Sequence, residues 1–223
     1  MILRNILYLV VVGFLFIARA FAALADVEKV IPGIKLDIRY ATTNNFTGKK
    51  VYSSARCFLQ QDAAEALKKV QRDLKKKGLA LKLYDGYRPF SVQQLFWDIW
   101  VPIATKRGIM CPQRYVARPM VDIEGNPIKG SKHNRGTAID LTLVDLKTGC
   151  EVQMPSAFDD FSDKAHRNYN TMTGEAAKNC KLLEKLMVKY GFIPEQSEWW
   201  HFNWQGWDKF PLMTATFDEL DNN

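Results

Sequence analysis

Histidine and cysteine are scarce in this chain of 223 residues, which has three of the first and four of the second. No two cysteines form a C-x-x-C pair, which argues against a cysteine-rich zinc module. The helical metal-binding pattern H-E-x-x-H is absent as well. No internal repeat, low-complexity tract or linker interrupts the chain, so a single domain is expected. Lys and Arg outnumber Asp and Glu by 31 to 24, but they are scattered rather than gathered with aromatic residues. That pattern predicts no nucleic-acid partner and suits anionic surroundings such as a cell-wall surface. The one dense run, Lys75-Lys76-Lys77, closes a predicted helix, where cations complement the helix dipole.

Long apolar runs are also missing, except at the start. Arg4 precedes an almost wholly apolar stretch from Ile6 to Ile17, and Ala23-Leu24-Ala25 supplies small residues at a cleavage point. Residues 1–25 therefore read as a signal peptide and 26–223 as the mature domain, with Ala20-Phe21-Ala22 as a second cleavage point that would start the mature chain at Ala23. The stretch is shorter than the ~20 residues that span a bilayer, so no stable membrane association is expected after cleavage. No cysteine follows it to carry a lipid. The expected location is outside the cytoplasm, in the periplasm. An oxidising compartment leads one to expect one or two disulfides among Cys57, Cys111, Cys150 and Cys180, with the pairing open.

Apolar residues Ala63, Leu67, Val70 and Leu74 recur at helical spacing and predict a helix over 61–77, stopped by Gly78. A strand follows from Leu79 to Tyr84. Ser91 is placed to cap a second helix that runs to about Trp100, where Pro102 disturbs it. Residues 107–135 read as a long loop. Thr137–Val144 reads as a buried strand, residues 174–190 as a helix with Leu182, Leu183, Leu186, Met187 and Tyr190 inward, and Trp199–Trp204 as an aromatic strand. Without a regular βαβ rhythm, this order predicts an α+β fold with a mostly antiparallel sheet flanked by helices.

Two of the three histidines stand in unusual settings. In Ser131-Lys132-His133-Asn134-Arg135-Gly136-Thr137-Ala138-Ile139-Asp140, a loop runs into a strand that buries Asp140 between apolar neighbours. A buried carboxylate needs a partner, and a divalent cation is one. In Glu198-Trp199-Trp200-His201-Phe202, an acid and a histidine sit among aromatics. His133, Asp140 and His201 together make a two-imidazole, one-carboxylate set suited to catalytic zinc, with a fourth position left for water. Glu198 is the candidate general base. On a regular strand Glu198 and His201 would face opposite ways, so this role requires a bend near Ser197-Glu198. Arg88, in the stiff turn Asp85-Gly86-Tyr87-Arg88-Pro89, is placed to meet a developing oxyanion. His166 stands outside this set and reads as a structural or rim residue.

These three segments, with Asp37-Ile38-Arg39-Tyr40-Ala41-Thr42, resemble the D-alanyl-D-alanine dipeptidases of the vancomycin-resistance type across nearly the whole mature chain. The resemblance implies a hedgehog-like α+β fold and one Zn2+ per chain on His133, Asp140 and His201. It implies Glu198 as base, Arg88 as stabiliser of the tetrahedral intermediate, and a small D,D-dipeptide as substrate. It also implies that Tyr40 and Asp159 hold the free ammonium of that substrate and that Ser131 lies in the pocket wall. Pro155 departs from the family's pattern, which has glycine there. Two other readings remain open: a D,D- or L,D-carboxypeptidase acting on peptidoglycan stems, and a non-catalytic zinc-containing wall-binding domain.

Overall fold

The computed structural model describes residues 24–169 and 172–221. Most of the expected leader, residues 1–23, lies outside the described residues. The chain enters through β1 (Ala25–Asp26) and a short helix α1 (Val27–Val30), then β2 (Lys35–Leu36), β3 (Phe58–Leu59) and α2 (Gln61–Lys75). Next come β4 (Leu79–Asp85), α3 (Phe90–Lys106) and two short strands, β5 (Met120–Val121) and β6 (Pro127–Lys129). It ends with β7 (Ala138–Asp145), α4 (Gly174–Lys189), β8 (Phe192–Pro194), β9 (His201–Trp204) and α5 (Phe217–Asp221).

Five strands form the main sheet in the order β2-β4-β7-β9-β8. Only the β2–β4 pair is parallel, and the rest are antiparallel. The mostly antiparallel α+β architecture matches the expectation. Helices α2 and α4 contact the sheet and each other. The residues expected to face inward on α2, namely Ala63, Leu67, Val70 and Leu74, are fully buried. On β7, Ile139, Leu141 and Leu143 belong to the same apolar core as these helix residues. Alternation along the strand therefore sends Asp140 and Thr142 to the other face, where the site lies.

Three local expectations need correction. Helix α3 starts at Phe90, with Pro89 rather than Ser91 at its N-cap, and it continues through Pro102 to Lys106. Pro102 is solvent-exposed, so water can reach the carbonyl left without its helical partner, while Phe96, Trp100 and Ala104 are buried on the core side. Packing of that face outweighs the local break. The segment 107–135 is not plain loop, since it contains the β5–β6 hairpin and two 3-10 turns.

The cysteines are free, contrary to the expected disulfides. Cys57 is buried beneath Gly86 in the main core, and Cys180 is buried on α4 in a second cluster with Trp199 and Trp200. Cys111 and Cys150 are exposed in separate loops. At the start of the described residues, Ala25 pairs with Leu59 and Leu24 packs against the core.

Candidate metal centre and its cleft

Sheet register builds the centre. Asp140 lies opposite Asp85 on one side and His201 on the other, so three functional positions share one row across β4, β7 and β9. A β-bulge between Leu83 and Asp85 sets two β4 residues against one on β7 and turns Asp85 toward that row. His133 arrives from a 3-10 turn over Lys132–Arg135, and Gly136 closes that turn at φ 65°. Ser131 accepts a hydrogen bond from the His133 backbone N–H (3.2 Å), and its own N–H donates to Asn134 Oδ1 (2.8 Å). This reciprocal cap fixes the turn that presents the imidazole.

The three expected ligands converge. His133 Nε2 lies 3.4 Å from Asp140 Oδ2, His201 Nδ1 lies 2.9 Å from Asp140 Oδ1, and the two imidazole nitrogens are 3.2 Å apart. On the far side of each ring, His133 Nδ1 meets the Gly86 carbonyl at 2.7 Å and His201 Nε2 meets Asn203 Oδ1 at 2.8 Å. The Gly86 carbonyl can only accept, so His133 Nδ1 carries the proton and its Nε2 faces Asp140 with a lone pair. The same logic at Asn203 Oδ1 leaves the lone pair of His201 Nδ1 facing inward. Two lone pairs and a carboxylate then share a space only a cation can satisfy, and the outer hydrogen bonds orient the rings as metal ligands require. The donor set fits zinc. Burial opposes ionised Asp140, but imidazoles protonated beside it outweigh burial and hold the carboxyl well below the usual carboxylate range, a part that a cation takes over when the rings are neutral ligands.

The bend that Glu198 requires is present. A turn over 198–201, closed by the His201 N–H to the Glu198 carbonyl (3.3 Å), replaces the first two residues of the expected strand, so β9 starts at His201. Glu198 Oε2 is consequently 3.9 Å from His201 Nδ1 and on the same side. Burial pushes the Glu198 carboxyl up to about 8, and Asp140 adds to the effect while His201 opposes it. A divalent cation beside it would draw that value down, so that the ionised form is available as a base.

Arg88 is buried and rigidly held. Its Nε and Nη2 donate to Asp85 Oδ2 at 3.1 and 2.6 Å, and Nη1 donates to Gln93 Oε1 at 2.8 Å. Asp85 also accepts from the Tyr52 hydroxyl (2.8 Å), and Gln93 is tied to the Ala117 carbonyl (2.8 Å). Three of the five guanidinium N–H groups are thereby engaged, leaving two for an incoming oxyanion. Backbone bonds knit this turn to the ligand turn, from the Arg88 N–H to the His133 carbonyl (3.1 Å) and from Asn134 Nδ2 to the Arg88 carbonyl (2.9 Å).

At another part of the cleft, the Tyr40 hydroxyl donates to both oxygens of Asp159 at 3.1 and 3.2 Å. Asp159 has φ 61°, a left-handed conformation that few residues other than glycine adopt and that aspartate tolerates better than most. Burial pushes its carboxyl up to about 7, with Asp140 contributing and the Tyr40 hydrogen bond opposing. Every residue singled out in the sequence (Tyr40, Arg88, Ser131, His133, Asp140, Asp159, Glu198 and His201) lines one cleft of about 480 Å³, within the range of small-molecule sites. His166 stays outside the cleft lining, as expected. The sequence reading missed Asp85, Gln93, Gly86 and Asn203. For Asn203 a signal existed, because two residues after His201 on a strand means the same face.

A buried two-histidine, one-carboxylate centre with an adjacent acid and a fixed arginine defines the class: a metal-dependent hydrolase of the peptidase type. The particular family follows from comparison. The chain belongs to the D-ala-D-ala dipeptidase family, which it matches over residues 21–219. It is similar to the D-alanyl-D-alanine dipeptidase of Escherichia coli (strain K12), with 35% identity over 195 residues, 87% of this chain and 91% of that one. The enzymes of the same name from Enterococcus faecium and Enterococcus faecalis share 34% and 33% identity. They align with 78% and 85% of this chain and with 88% and 90% of their own lengths.

Proposed function

We propose that this protein hydrolyses D-alanyl-D-alanine to two molecules of D-alanine, with one Zn2+ held by His133, Asp140 and His201. The observation that carries the dipeptide reading is the Tyr40–Asp159 pair in the same cleft as the ligand triad. A carboxylate held there matches a free ammonium one residue from the scissile bond, which a dipeptide has and a longer peptide lacks. When bound, zinc polarises the scissile carbonyl and lowers the pKa of water it holds to about 7. Glu198 takes the proton from the attacking water and passes it to the departing amine as the C–N bond breaks. The two unengaged N–H groups of Arg88 meet the oxyanion of the tetrahedral intermediate. Ser131 lines the pocket and holds the His133 turn in place.

The test compares D-Ala-D-Ala, L-Ala-L-Ala and a pentapeptide ending in D-Ala-D-Ala. Release of alanine from the D,D-dipeptide alone supports the reading. Equal cleavage of the pentapeptide would replace it with a carboxypeptidase, absence of any cleavage would favour a non-catalytic wall-binding domain, and cleavage that survives a chelator would overturn the metal assignment.

We also infer export to the periplasm, with removal of the leader after Ala22 rather than Ala25. Support comes from the pairing of Ala25 with Leu59 and the packing of Leu24, both of which cleavage after Ala25 would discard. N-terminal sequencing of the secreted form is expected to read Ala23-Leu24-Ala25, and a start at Asp26 would refute this.

A further inference from the structure

Glu198 sits at the tip of the loop 195–201, and one side chain outside the cleft lining holds both ends of that loop. Arg167 donates from Nε to the Glu195 carbonyl (2.8 Å) and from Nη2 to the His201 carbonyl (3.0 Å). The loop's own closing bond, from the Glu195 N–H to the His201 carbonyl (3.1 Å), lies between these contacts. Its third guanidinium nitrogen faces Glu184 on α4 (3.3 Å), and the planar group lies 4.2 Å from the centre of the Phe202 ring. The side chain is only 3% exposed. The backbone repeats the connection, with the Arg167 N–H on the Gln196 carbonyl (3.0 Å) and the Trp199 N–H on the Ala165 carbonyl (2.9 Å).

Burying a guanidinium costs free energy, and here burial lowers the Arg167 pKa. The nearest acid is a single partly exposed glutamate, so this arrangement is not an ordinary buried ion pair. Two of its three side-chain hydrogen bonds go to main-chain carbonyls that bracket the catalytic turn. The segment that carries Arg167 also continues from the loop bearing Asp159. We propose that Arg167 is a positioning residue for catalysis. By clamping Glu195 to His201 it fixes where the Glu198 carboxylate and the His201 ring stand.

This inference rests on the dipeptidase reading for the roles of Glu198 and His201. Its test uses Arg167→Met, which keeps an apolar stem over Phe202 and removes the donors. Two readouts are taken on full-length mature protein: zinc affinity by competition with a chromophoric chelator, and kcat and KM for D-Ala-D-Ala. The expected result is zinc binding weakened about tenfold or more and kcat lowered by a similar factor, the usual scale for groups that orient metal ligands. KM should stay within about twofold, because Tyr40 and Asp159 are untouched. Unchanged zinc affinity and kcat with only a lower melting temperature would make Arg167 mere scaffold and overturn the proposal. If Arg167→Met does not fold, Arg167→Lys, which keeps the cation but cannot bridge both carbonyls, is held to the same split. Failure of both to fold assigns Arg167 to folding and also overturns it. Wild-type protein that binds zinc but does not cleave the dipeptide would sink the dipeptidase reading, whereas the zinc-affinity comparison would still report on the clamp.

Discussion

Replacing Asp85 by Asn tests how the fold prepares Arg88. Asp85 is fully buried and accepts two N–H groups of Arg88 and the Tyr52 hydroxyl. Asparagine keeps the shape and one acceptor oxygen but removes the charge, so the buried guanidinium loses its counter-ion. Breaking a buried pair from one side costs about 3–5 kcal/mol, and the remaining hydrogen bonding places this variant near 3 kcal/mol. For a domain of this size that corresponds to a fall of roughly 6–12 °C in melting temperature. The catalytic effect should be separate and larger than a generic loss of stability. Complete loss of an oxyanion donor costs about 100- to 1000-fold in kcat, and a loosened Arg88 is expected to lose at least about tenfold. The assay is thermal unfolding together with steady-state cleavage of D-Ala-D-Ala well below the transition. In the double variant Asp85→Asn with Arg88→Met the losses should fall short of additivity by about 0.5–3 kcal/mol, because the two residues act as one unit. A melting temperature within a degree of wild type with unchanged kcat would refute the argument that this pair positions Arg88.

Gly86 is close-packed from below, since a Cβ there would lie 2.6 Å from Cys57 Sγ and 2.9 Å from the Phe58 carbonyl oxygen. Its carbonyl also fixes the His133 ring, so Gly86→Ala should lower both stability and zinc affinity, measured by unfolding and chelator competition. The raised Asp159 pKa carries a definite sign. Folded Asp159 holds its proton up to about 7 while the unfolded group releases it near 3.8, so its contribution is present at low pH and lost as pH rises between those values. The stability of metal-free protein should therefore show a falling component with pH across that window, and Asp159→Asn should remove it. Thiol titration without reductant should give four free thiols in denaturant and rapid reaction of Cys111 and Cys150 alone in the native state. A denatured count of two or fewer would restore the disulfides.

The candidate metal ligands were legible because each lies in a short stretch where a polar residue interrupts an apolar pattern. The need for a bend at Glu198 followed from strand parity alone, and the turn over 198–201 supplies it. Asp85 was not legible as part of the site. It reads as the first residue of a turn, and only the bulge in β4 and the register with Asp140 bring it under Arg88. Gln93 and Arg167 were hidden for a related reason, since their partners are carbonyls and side chains fixed by tertiary contacts rather than by spacing. Helix α3 ran past Pro102 because burial of Trp100 and Ala104 outweighed a local rule. The cysteines misled because compartment suggests oxidation, whereas pairing depends on where the fold puts each thiol.

The most direct test of the account is the release of D-alanine from D-Ala-D-Ala by mature protein stripped with a chelator and titrated back with Zn2+. The account predicts no turnover without metal and full recovery at one equivalent per chain. Turnover that survives complete removal of metal, or that never appears on restoring it, would contradict the assignment of His133, Asp140 and His201 as the centre of a zinc dipeptidase.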